Sequence, residues 1–382
     1  MSGVENTPVN QDRLSDQELL VWLRLIRSEN IGPVTFGELL SHFGSAAAAI
    51  EGVGELASRG GRRIRICPLE DAERELEMLE RMGARLLASG DPDYPSLLGH
   101  TDGAPPLISV RGEAAILSRP TIAIVGSRNA SISGAKFARQ IAGDLGGRGY
   151  AVASGLARGI DAAAHQGSLS TGTIAVFAGG LDRIYPTDNI DLAEMIVAEG
   201  GAHISEMPIG WQARARDFPR RNRIVSGVAI GVVIVEAATR SGSLITARLA
   251  GEQGRPVLAV PGSPLDPRAA GTNRLIRDGA RILTGVEDII EEIEPMLGRR
   301  ADTPRHIEEA PASATPYASD ADDSDRARIV EGLSPTPVEI DEILRFTGFK
   351  PAIVHLVLLE LDLAGRIARH SGGRISLVPS GP

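Results

Sequence analysis

Thr121-Ile-Ala-Ile-Val-Gly-Ser-Arg-Asn-Ala-Ser-Ile-Ser-Gly-Ala-Lys136 is the stretch that decides the predicted fold, because it indicates a buried strand, a polar loop and a helix in succession. The continuous apolar run 122–125 is typical of a parallel strand covered on both faces. Gly126 permits a sharp turn after the strand, and Ser131 or Ser133 can cap the following helix. The stretch therefore predicts the first crossover of an α/β domain.

The loop of this stretch is also a predicted anion site. Ligands of α/β sheets bind beyond the carboxyl ends of the strands, where free N–H groups and the helix dipole attract phosphate or carboxylate. Arg128 adds a planar donor fork, although a surface arginine on an ordinary crossover would give the same pattern. Neither the G-x-G-x-x-G dinucleotide fingerprint nor the P-loop pattern follows Gly126.

Composition limits the class of protein. The chain has 382 residues, a formal net charge of −9 and only 3% aromatic residues, which predicts two or three domains with aliphatic cores. A local basic site remains compatible with that charge. The single cysteine, Cys67, cannot form an intrachain disulfide and has no metal-ligand spacing around it, so we expect a reducing cytoplasm, no metal and no cofactor. The longest apolar run, 228–235, is too short to span a membrane, and no leader peptide is expected.

Alternating strands and helices predict a doubly wound, mainly parallel sheet over residues 84–298. Beyond the first two strands, predicted at 84–88 and 107–110, the expected parallel strands are 122–125, 151–153, 174–178, 231–235 and 257–260.

Smaller domains are predicted on either side of this core. Residues 1–83 indicate short helices that resemble a helix-hairpin-helix or sterile-alpha-motif-like unit, which can contact DNA or simply pack. Residues 299–325 are rich in Ala, Pro, Asp and Ser and predict a flexible linker. Residues 326–382 predict three helices and a hairpin, a winged helix. Acidic residues in its second helix would repel phosphate, so a partner or lid role is as well supported as DNA binding.

A second glycine-rich loop, 154–161, follows the next predicted strand and carries Arg158. Its Asp161 can cap the next helix, and His165 would lie one turn later on the same face. An Asp/His pair can serve acid-base catalysis, but no nucleophile accompanies it, so a structural role is favoured. The third loop, 178–182, contains glycines but no cationic side chain to hold a phosphate. It is expected to shape the wall of the binding groove.

A further strand ends at Glu236 and leads through Ser241-Gly242-Ser243 into a helix. Ser241 or Ser243 can cap this helix, which makes its N-terminus a second candidate anion site. Glu236 is a poor neighbour for phosphate, so we expect an arginine to pair with it.

The segment 214–223, Arg-Ala-Arg-Asp-Phe-Pro-Arg-Arg-Asn-Arg, carries five arginines and one carboxylate. A charge run is usually a solvated helix face. Arginine is nevertheless suited to bidentate phosphate contact, and Phe218 can stack on a base, so the segment favours contact with nucleic acid.

Ordered motifs across roughly residues 90–285 resemble the DNA-processing protein A family, DprA/Smf. The matching segments are Tyr94-Pro95-x-x-Leu98, Ile124-Val125-Gly126-Ser127-Arg128, Ser154-Gly155-Leu156-Ala157-x-Gly159-Ile160-Asp161, Ala164-His165, Ser205-Glu206-x-Pro208-x-Gly210, Phe218-Pro219-x-Arg221-Asn222-Arg223, Val235-Glu236-Ala237, Ser241-Gly242-Ser243-Leu244-Ile245-Thr246-Ala247 and Val260-Pro261-Gly262.

The resemblance implies that residues 84–298 form a Rossmann-like DNA-binding core. It further implies a homodimeric protein without catalytic turnover that binds and protects single-stranded DNA and helps to load the RecA recombinase in natural transformation. The expected DNA contacts are Gly126, Ser127, Arg128, Arg158, Phe218, Arg220, Arg221, Asn222, Arg223, Ser241, Gly242 and Ser243. The family motif does not specify the residue at position 158, so the expected DNA contact of Arg158 rests on the chemistry of its side chain alone. Two alternatives stay open: a nucleotide-hydrolysing enzyme that uses Asp161 and Glu236, and a duplex reader whose DNA-binding element is the winged helix.

Overall fold

A computed structural model describes residues 13–297, 321–370 and 372–378, and four helices come first in the described part of the chain. They are α1 (Asp16–Ile26), α2 (Pro33–Phe43), α3 (Ala46–Arg59) and α4 (Leu69–Arg81). A capping box between Ser15 and Glu18 starts α1. Gly44, with φ of 80°, ends α2 in the left-handed conformation that favours glycine. The short helices that the sequence predicts before residue 84 are confirmed within the described residues.

A nine-stranded sheet follows within the described residues, in the order β1-β2-β6-β5-β4-β3-β7-β8-β9. Its strands are β1 (Ala84–Ala88), β2 (Leu107–Gly112), β3 (Thr121–Gly126), β4 (Ala151–Ser154), β5 (Thr173–Val176), β6 (Ala202–Ser205), β7 (Gly231–Val235), β8 (Val257–Ala259) and β9 (Arg281–Ile282). The helices that accompany them are α5 (Ser96–Gly99), α6 (Ile132–Gly147), α7 (Ile160–Ser168), α8 (Ile190–Ala198), α9 (Asp217–Gly227), α10 (Ser243–Glu252), α11 (Ala270–Arg277) and α12 (Val286–Leu297).

The sheet is mainly parallel and buried on both faces, as the sequence predicts. Pairing is parallel from β6 through β9, whereas β1 with β2 and β2 with β6 pair antiparallel. Ile122 and Ile124 pack into one apolar cluster, while Ala123 and Val125 pack into the cluster on the opposite face. The continuous apolar run of β3 thus follows from burial on both sides.

Strand β6 lies in the middle of the sheet, yet the sequence does not predict it. Its residues, Ala202 to Ser205, include a histidine and a serine and form no apolar run, yet all are buried. The His203 ring bonds the carbonyl oxygen of Ala193 through Nε2 (2.9 Å) and lies against Phe177 at a centroid distance of 4.7 Å. Partners inside the protein allow these polar side chains to occupy a central strand.

The C-terminal elements form the predicted winged helix. They are α13 (Asp323–Glu331), β10 (Val338–Glu339), α14 (Ile340–Thr347), α15 (Pro351–Leu363), β11 (Ile367–His370) and β12 (Arg374–Leu377), with the strands in the order β10-β12-β11. Most of the predicted linker 299–325 lies outside the described residues. Its last residues begin α13, because Asp322 caps that helix through the N–H of Asp325 at 2.8 Å.

The chain divides into two compact units. One unit contains the sheet and joins residues 13–14 to the segment that starts at Glu75, inside α4. The other unit joins residues 15–74 to the winged helix. The domain boundary at residue 83 stays a prediction. No helix in the described part of the chain is long and apolar enough to cross a membrane.

Candidate nucleic-acid interface

The candidate site lies beyond the carboxyl ends of the parallel strands. Sheet order reverses at β3, since β4, β5 and β6 extend to one side of it and β7, β8 and β9 to the other. Ligands of open α/β sheets bind at such a switch point. The loops after β3 and β7 flank it, and Gly126 pairs with Val235 at the end of both strands. A Cβ on Gly126 would lie 1.8 Å from the Val235 carbonyl oxygen, so this approach requires glycine.

Glu236 fills the anion position that the sequence predicts at the start of α6. Its carboxylate accepts hydrogen bonds from the backbone N–H of Ser131 (2.8 Å) and from the Ser131 hydroxyl. Ser131 also caps the helix by accepting from the N–H of Gly134 at 2.9 Å. The expected arginine partner of Glu236 is absent from the ion pairs of the described residues, so the prediction of that pair is wrong. An internal carboxylate thus holds the place of a phosphate.

A pocket opens beside this position, above the ends of β4 and β5. Its walls include Gly155 and Leu156, the strand end at Val176 to Gly179, and the side chains of Tyr185, Phe218 and Arg221. Leu156 and Glu236, in the two neighbouring loops, have φ values of 56° and 53°. Non-glycine residues with such backbone angles concentrate at functional sites.

Arg221 forms the floor of the pocket. It is only 6% exposed, and its Nη1 donates to the carbonyl oxygens of Gly155 (2.5 Å) and Val176 (2.6 Å). Its Nε is buried and has no hydrogen-bond partner in the described part of the chain. Burial lowers the pKa of Arg221 to about 10, although Asp161 favours the charged form, so the guanidinium stays charged at neutral pH. A buried cation with an unused donor is suited to an anion.

Asp161 supports the same loop, but not as the predicted helix cap. Its carboxylate accepts from the N–H groups of Gly155 (3.2 Å) and Ala157 (3.3 Å), while α7 has Gly159 as its N-cap without a side-chain hydrogen bond. Burial raises the pKa of Asp161, an effect that Arg221 and these backbone donors oppose. His165 is fully buried with Nδ1 2.7 Å from the Thr173 hydroxyl, in keeping with a structural role.

Aromatic rings and Arg128 form the rim of the pocket. The Phe218 ring lies 5.5 Å from the Tyr185 ring, at an interplanar angle of 62°. The exposed guanidinium of Arg128 lies 5.4 Å from the Phe218 centroid, a cation–π contact. Tyr185 is 58% exposed, and sequence reasoning did not select it as a site residue. The sequence signal that could have identified Tyr185 is its position in a glycine-rich loop that follows a strand.

The remaining predicted arginines have acidic partners. Arg158 pairs with Asp188 at 2.8 Å on the surface. Glu206, only 7% exposed, takes Arg220 Nε at 2.9 Å and also binds Arg223. The arginine segment is therefore divided between the pocket, where Arg221 lies, and a structural ion-pair cluster.

The start of α10 lies next to α9, as the bond from Asn222 Nδ2 to the Gly242 carbonyl oxygen shows (3.3 Å). Gly242 is the N-cap and carries no side chain, while Ser241 Oγ accepts a hydrogen bond from the N–H of Ser243, the first residue of the helix, at 3.4 Å. The two serine hydroxyls also bond each other at 2.7 Å. The described residues contain no group of three or more Asp, Glu, His and Cys residues that could hold a metal ion.

Comparison with known proteins assigns this architecture. The family model described as DNA recombination-mediator protein A matches residues 85–294, which is more than half of the chain. The chain belongs to the DprA/Smf family. Family models for a DprA-like N-terminal HHH domain and a DprA winged helix match residues 16–77 and 311–373.

Relatives of the DprA/Smf family match along most of the chain. Protein Smf of Escherichia coli is 35% identical over 369 residues, which is 94% of this chain and 95% of that protein. The crystal structure of DprA from Streptococcus pneumoniae has a TM-score of 0.59 at 32% identity and covers 74% of this chain and 99% of its own. A Helicobacter pylori DprA structure, described by its single-stranded DNA binding mode, has a TM-score of 0.51 at 26% identity over 57% of this chain and 99% of its own.

Proposed function

We propose that this protein binds single-stranded DNA across the mouth of the pocket lined by Arg221, Phe218 and Tyr185, with Arg128 beside the Phe218 ring. The observation that carries the proposal is the buried Arg221 guanidinium, whose Nε has no partner among the described residues, in a pocket that the exposed Tyr185 ring and the half-buried Phe218 ring also line. A guanidinium suits a phosphate, and an exposed ring suits an unstacked base. The described binding mode of the Helicobacter pylori relative supports the same ligand.

The proposed DNA path runs from Gly126, Ser127 and Arg128 across the pocket to the start of α10. Along it, Asn222 lies beside Gly242, and the backbone near Ser241 and Ser243 forms the N-terminus of α10, where the N-cap Gly242 carries no side chain. Arg158, Arg220 and Arg223 remain proposed contacts at the edges of this path. Their acidic partners must share these arginines with phosphate, so we expect each to contribute less than Arg128.

The broader role that we propose is DNA processing in natural transformation: protection of incoming single strands and help in loading RecA, by a cytoplasmic homodimer without catalytic turnover. Relatives named DNA processing protein DprA in Bacillus subtilis and Streptococcus pneumoniae support the processing role. The two carboxylates that an enzyme would need are already engaged, since Asp161 holds a loop and Glu236 lies at the start of α6.

Exchange of one ring tests the pocket directly. Phe218→Ala should weaken binding of an oligothymidine by about 1–3 kcal/mol, the usual value of one base–aromatic stack. Fluorescence anisotropy with single-stranded and duplex oligonucleotides of equal length would measure the loss.

Phe346→Ala is the matched control for Phe218→Ala. Phe346 is 50% exposed on the winged helix, and Arg328 lies 5.6 Å from its ring centroid, so both variants lose an aromatic ring with an arginine contact. Affinity for the single strand should stay unchanged in Phe346→Ala. Equal losses in both variants, or tighter binding of duplex than of single strands, would contradict the proposal.

A further inference from the structure

The third helix of the winged helix, α15, is buried nearly all round. Of its side chains only those of Pro351, Ala352 and His355 are exposed. The buried members are Val354, Leu356, Val357, Leu358, Leu359, Glu360, Leu361 and Leu363. Helix-turn-helix proteins that read duplex DNA place their recognition helix in the major groove. A helix that is apolar on every side is built for packing instead.

The backbone of α15 lies in close contact with the backbone at the end of α3. Gly60 is the C-cap of α3, and a Cβ on it would lie 2.0 Å from the carbonyl oxygen of Glu360. The Glu360 side chain is 1% exposed and takes both Nε and Nη2 of Arg326 at 2.8 Å. The helix is thus held firmly on its own domain and fits closely against the N-terminal helices.

Polar contacts fix the orientation of this interface. The Asn30 amide donates to the carbonyl oxygen of Leu363 at 2.9 Å, and Arg366 donates to the carbonyl oxygen of Gly60 at 3.3 Å. Side-chain pairs in partly buried positions add specificity: Thr35 donates to Asp362 at 3.0 Å, and Arg369 binds Glu38 at 2.6 Å and Asp362 at 2.9 Å. Partly buried pairs of this kind select one arrangement.

The exposed first turn of α15 has little with which to read bases. Direct readout in the major groove uses mainly Arg, Lys, Asn and Gln side chains. Lys350 precedes the helix, while Pro351 and Ala352 carry no polar side chain, and His355 Nδ1 lies 2.7 Å from the Pro351 carbonyl oxygen. The preceding helix α14 begins with Asp341 and Glu342, which repel phosphate.

We propose that the winged helix of this chain is a docking domain, whose helix α15 binds α2 and α3 of the same chain and does not read duplex DNA. The two terminal domains then act as one folded module. This interface is independent of the proposed single-stranded DNA site, whose residues all lie in the other unit.

Substitution of Gly60 tests the proposed interface between α15 and the helices α2 and α3. Gly60→Ala places a methyl group against the Glu360 carbonyl oxygen, whereas Gly54→Ala, also in α3, adds a methyl group with no atom within 4 Å. Hydrogen exchange of the full-length protein should speed up in α15 and α2 by at least about tenfold in Gly60→Ala, because exchange follows the opening equilibrium. Gly54→Ala should exchange like the unchanged protein. Equal hydrogen-exchange rates in the two variants would overturn the proposal that α15 binds α2 and α3.

Duplex binding supplies the second readout on the same two variants. If α15 is a docking helix, release in Gly60→Ala leaves duplex affinity unchanged within about twofold, because the freed surface is apolar. A gain of tenfold or more would overturn the proposal by showing that docking hides a DNA reader.

Arg369→Ala keeps the test decisive if Gly60→Ala does not fold. It removes the Glu38 and Asp362 pairs without a steric clash and should speed exchange in α15 and α2, again with unchanged duplex affinity. Exchange rates identical to those of the unchanged protein would contradict the proposal.

Discussion

At the residue scale, two charged side chains define where an anion can bind. The Glu236 carboxylate lies at the start of α6 and accepts hydrogen bonds from the N–H and hydroxyl of Ser131. The phosphate position that the sequence predicts at this helix is therefore already filled. Arg221, beneath the neighbouring pocket, keeps a donor without a partner in the described structure. The sequence places both residues at strand ends or helix starts, but the choice between them depends on side-chain direction, which no sequence pattern encodes.

Glu236→Gln should lower the free energy of unfolding modestly. The amide oxygen can still accept from Ser131, but the negative charge at the helix N-terminus is lost, which costs about 0.3–1 kcal/mol at exposed sites and up to ~2 kcal/mol when partly buried. Denaturant unfolding would measure the change. Glu236→Ala, which also removes both hydrogen bonds, should cost more, and equal stability of all three proteins would show that the carboxylate does not stabilise α6.

The same substitution separates a binding protein from an enzyme. We expect no release of free base when the unchanged protein is incubated with nucleoside monophosphates, because Asp161 and Glu236 are engaged in structure. Chromatography of the reaction mixture would detect the base. Turnover that disappears in Glu236→Gln would refute the non-enzymatic account.

At the element scale, the central sheet carries a buried pair of histidines on neighbouring elements. His165 lies on α7 and His203 on β6, and both side chains are fully buried. Burial lowers the pKa of His165 to about 3 and that of His203 to about 4. Each ring has one nitrogen without a hydrogen-bond partner among the described residues. The folded core therefore holds both rings neutral.

Stability of the core unit should fall as the pH decreases from 7 to 5. The unfolded chain binds protons on these histidines near pH 6.5, well above the folded values, so acid favours the unfolded state. Each unit of pH below 6.5 costs about 1.4 kcal/mol per histidine, or roughly 2 kcal/mol each at pH 5. Urea unfolding at both pH values would measure this. His165→Gln should reduce the pH dependence by about half, whereas a variant of the exposed His355 should leave it unchanged.

Most of the elements could be predicted from periodicity, and the exceptions have physical causes. Apolar runs located β3, β4, β5, β7 and β8 because these strands are covered on both faces. Strand β6 escaped since its polar residues find partners only in the folded protein. At the start of α10, Gly242 is the N-cap, and the Ser241 hydroxyl bonds both the N–H and the hydroxyl of Ser243. Pairwise choices of this kind are decided by tertiary contacts.

At the scale of the whole molecule, the proposed DNA site and the proposed docking interface lie in different units. The sheet unit carries every proposed DNA contact, while the other joins the N-terminal helices to the winged helix. Sequence motifs could predict the three domains, but not that the first and last pack together, because the contacts that join them lie more than 300 residues apart in the chain.

Deletion of residues 300–382 should separate these functions. Single-stranded DNA affinity should remain within about twofold of the full-length value, because the proposed phosphate contacts stay in place. The faces of α2 and α3 that α15 covers would become exposed, so hydrogen exchange should increase there. A large loss of single-strand affinity would place a main DNA contact on the winged helix.

The most direct test of the central claim is the salt dependence of single-stranded DNA binding for Arg128→Ala beside Arg139→Ala. Both arginines are exposed, but Arg128 lies at the pocket rim, whereas Arg139 on α6 bonds Gln166 at 2.5 Å. For about four phosphate contacts, log K should fall with log salt at a slope near −3, and Arg128→Ala should reduce its magnitude by ~0.7. Arg139→Ala should keep the original slope. Identical slopes for the two variants and the unchanged protein would contradict a DNA site at this pocket.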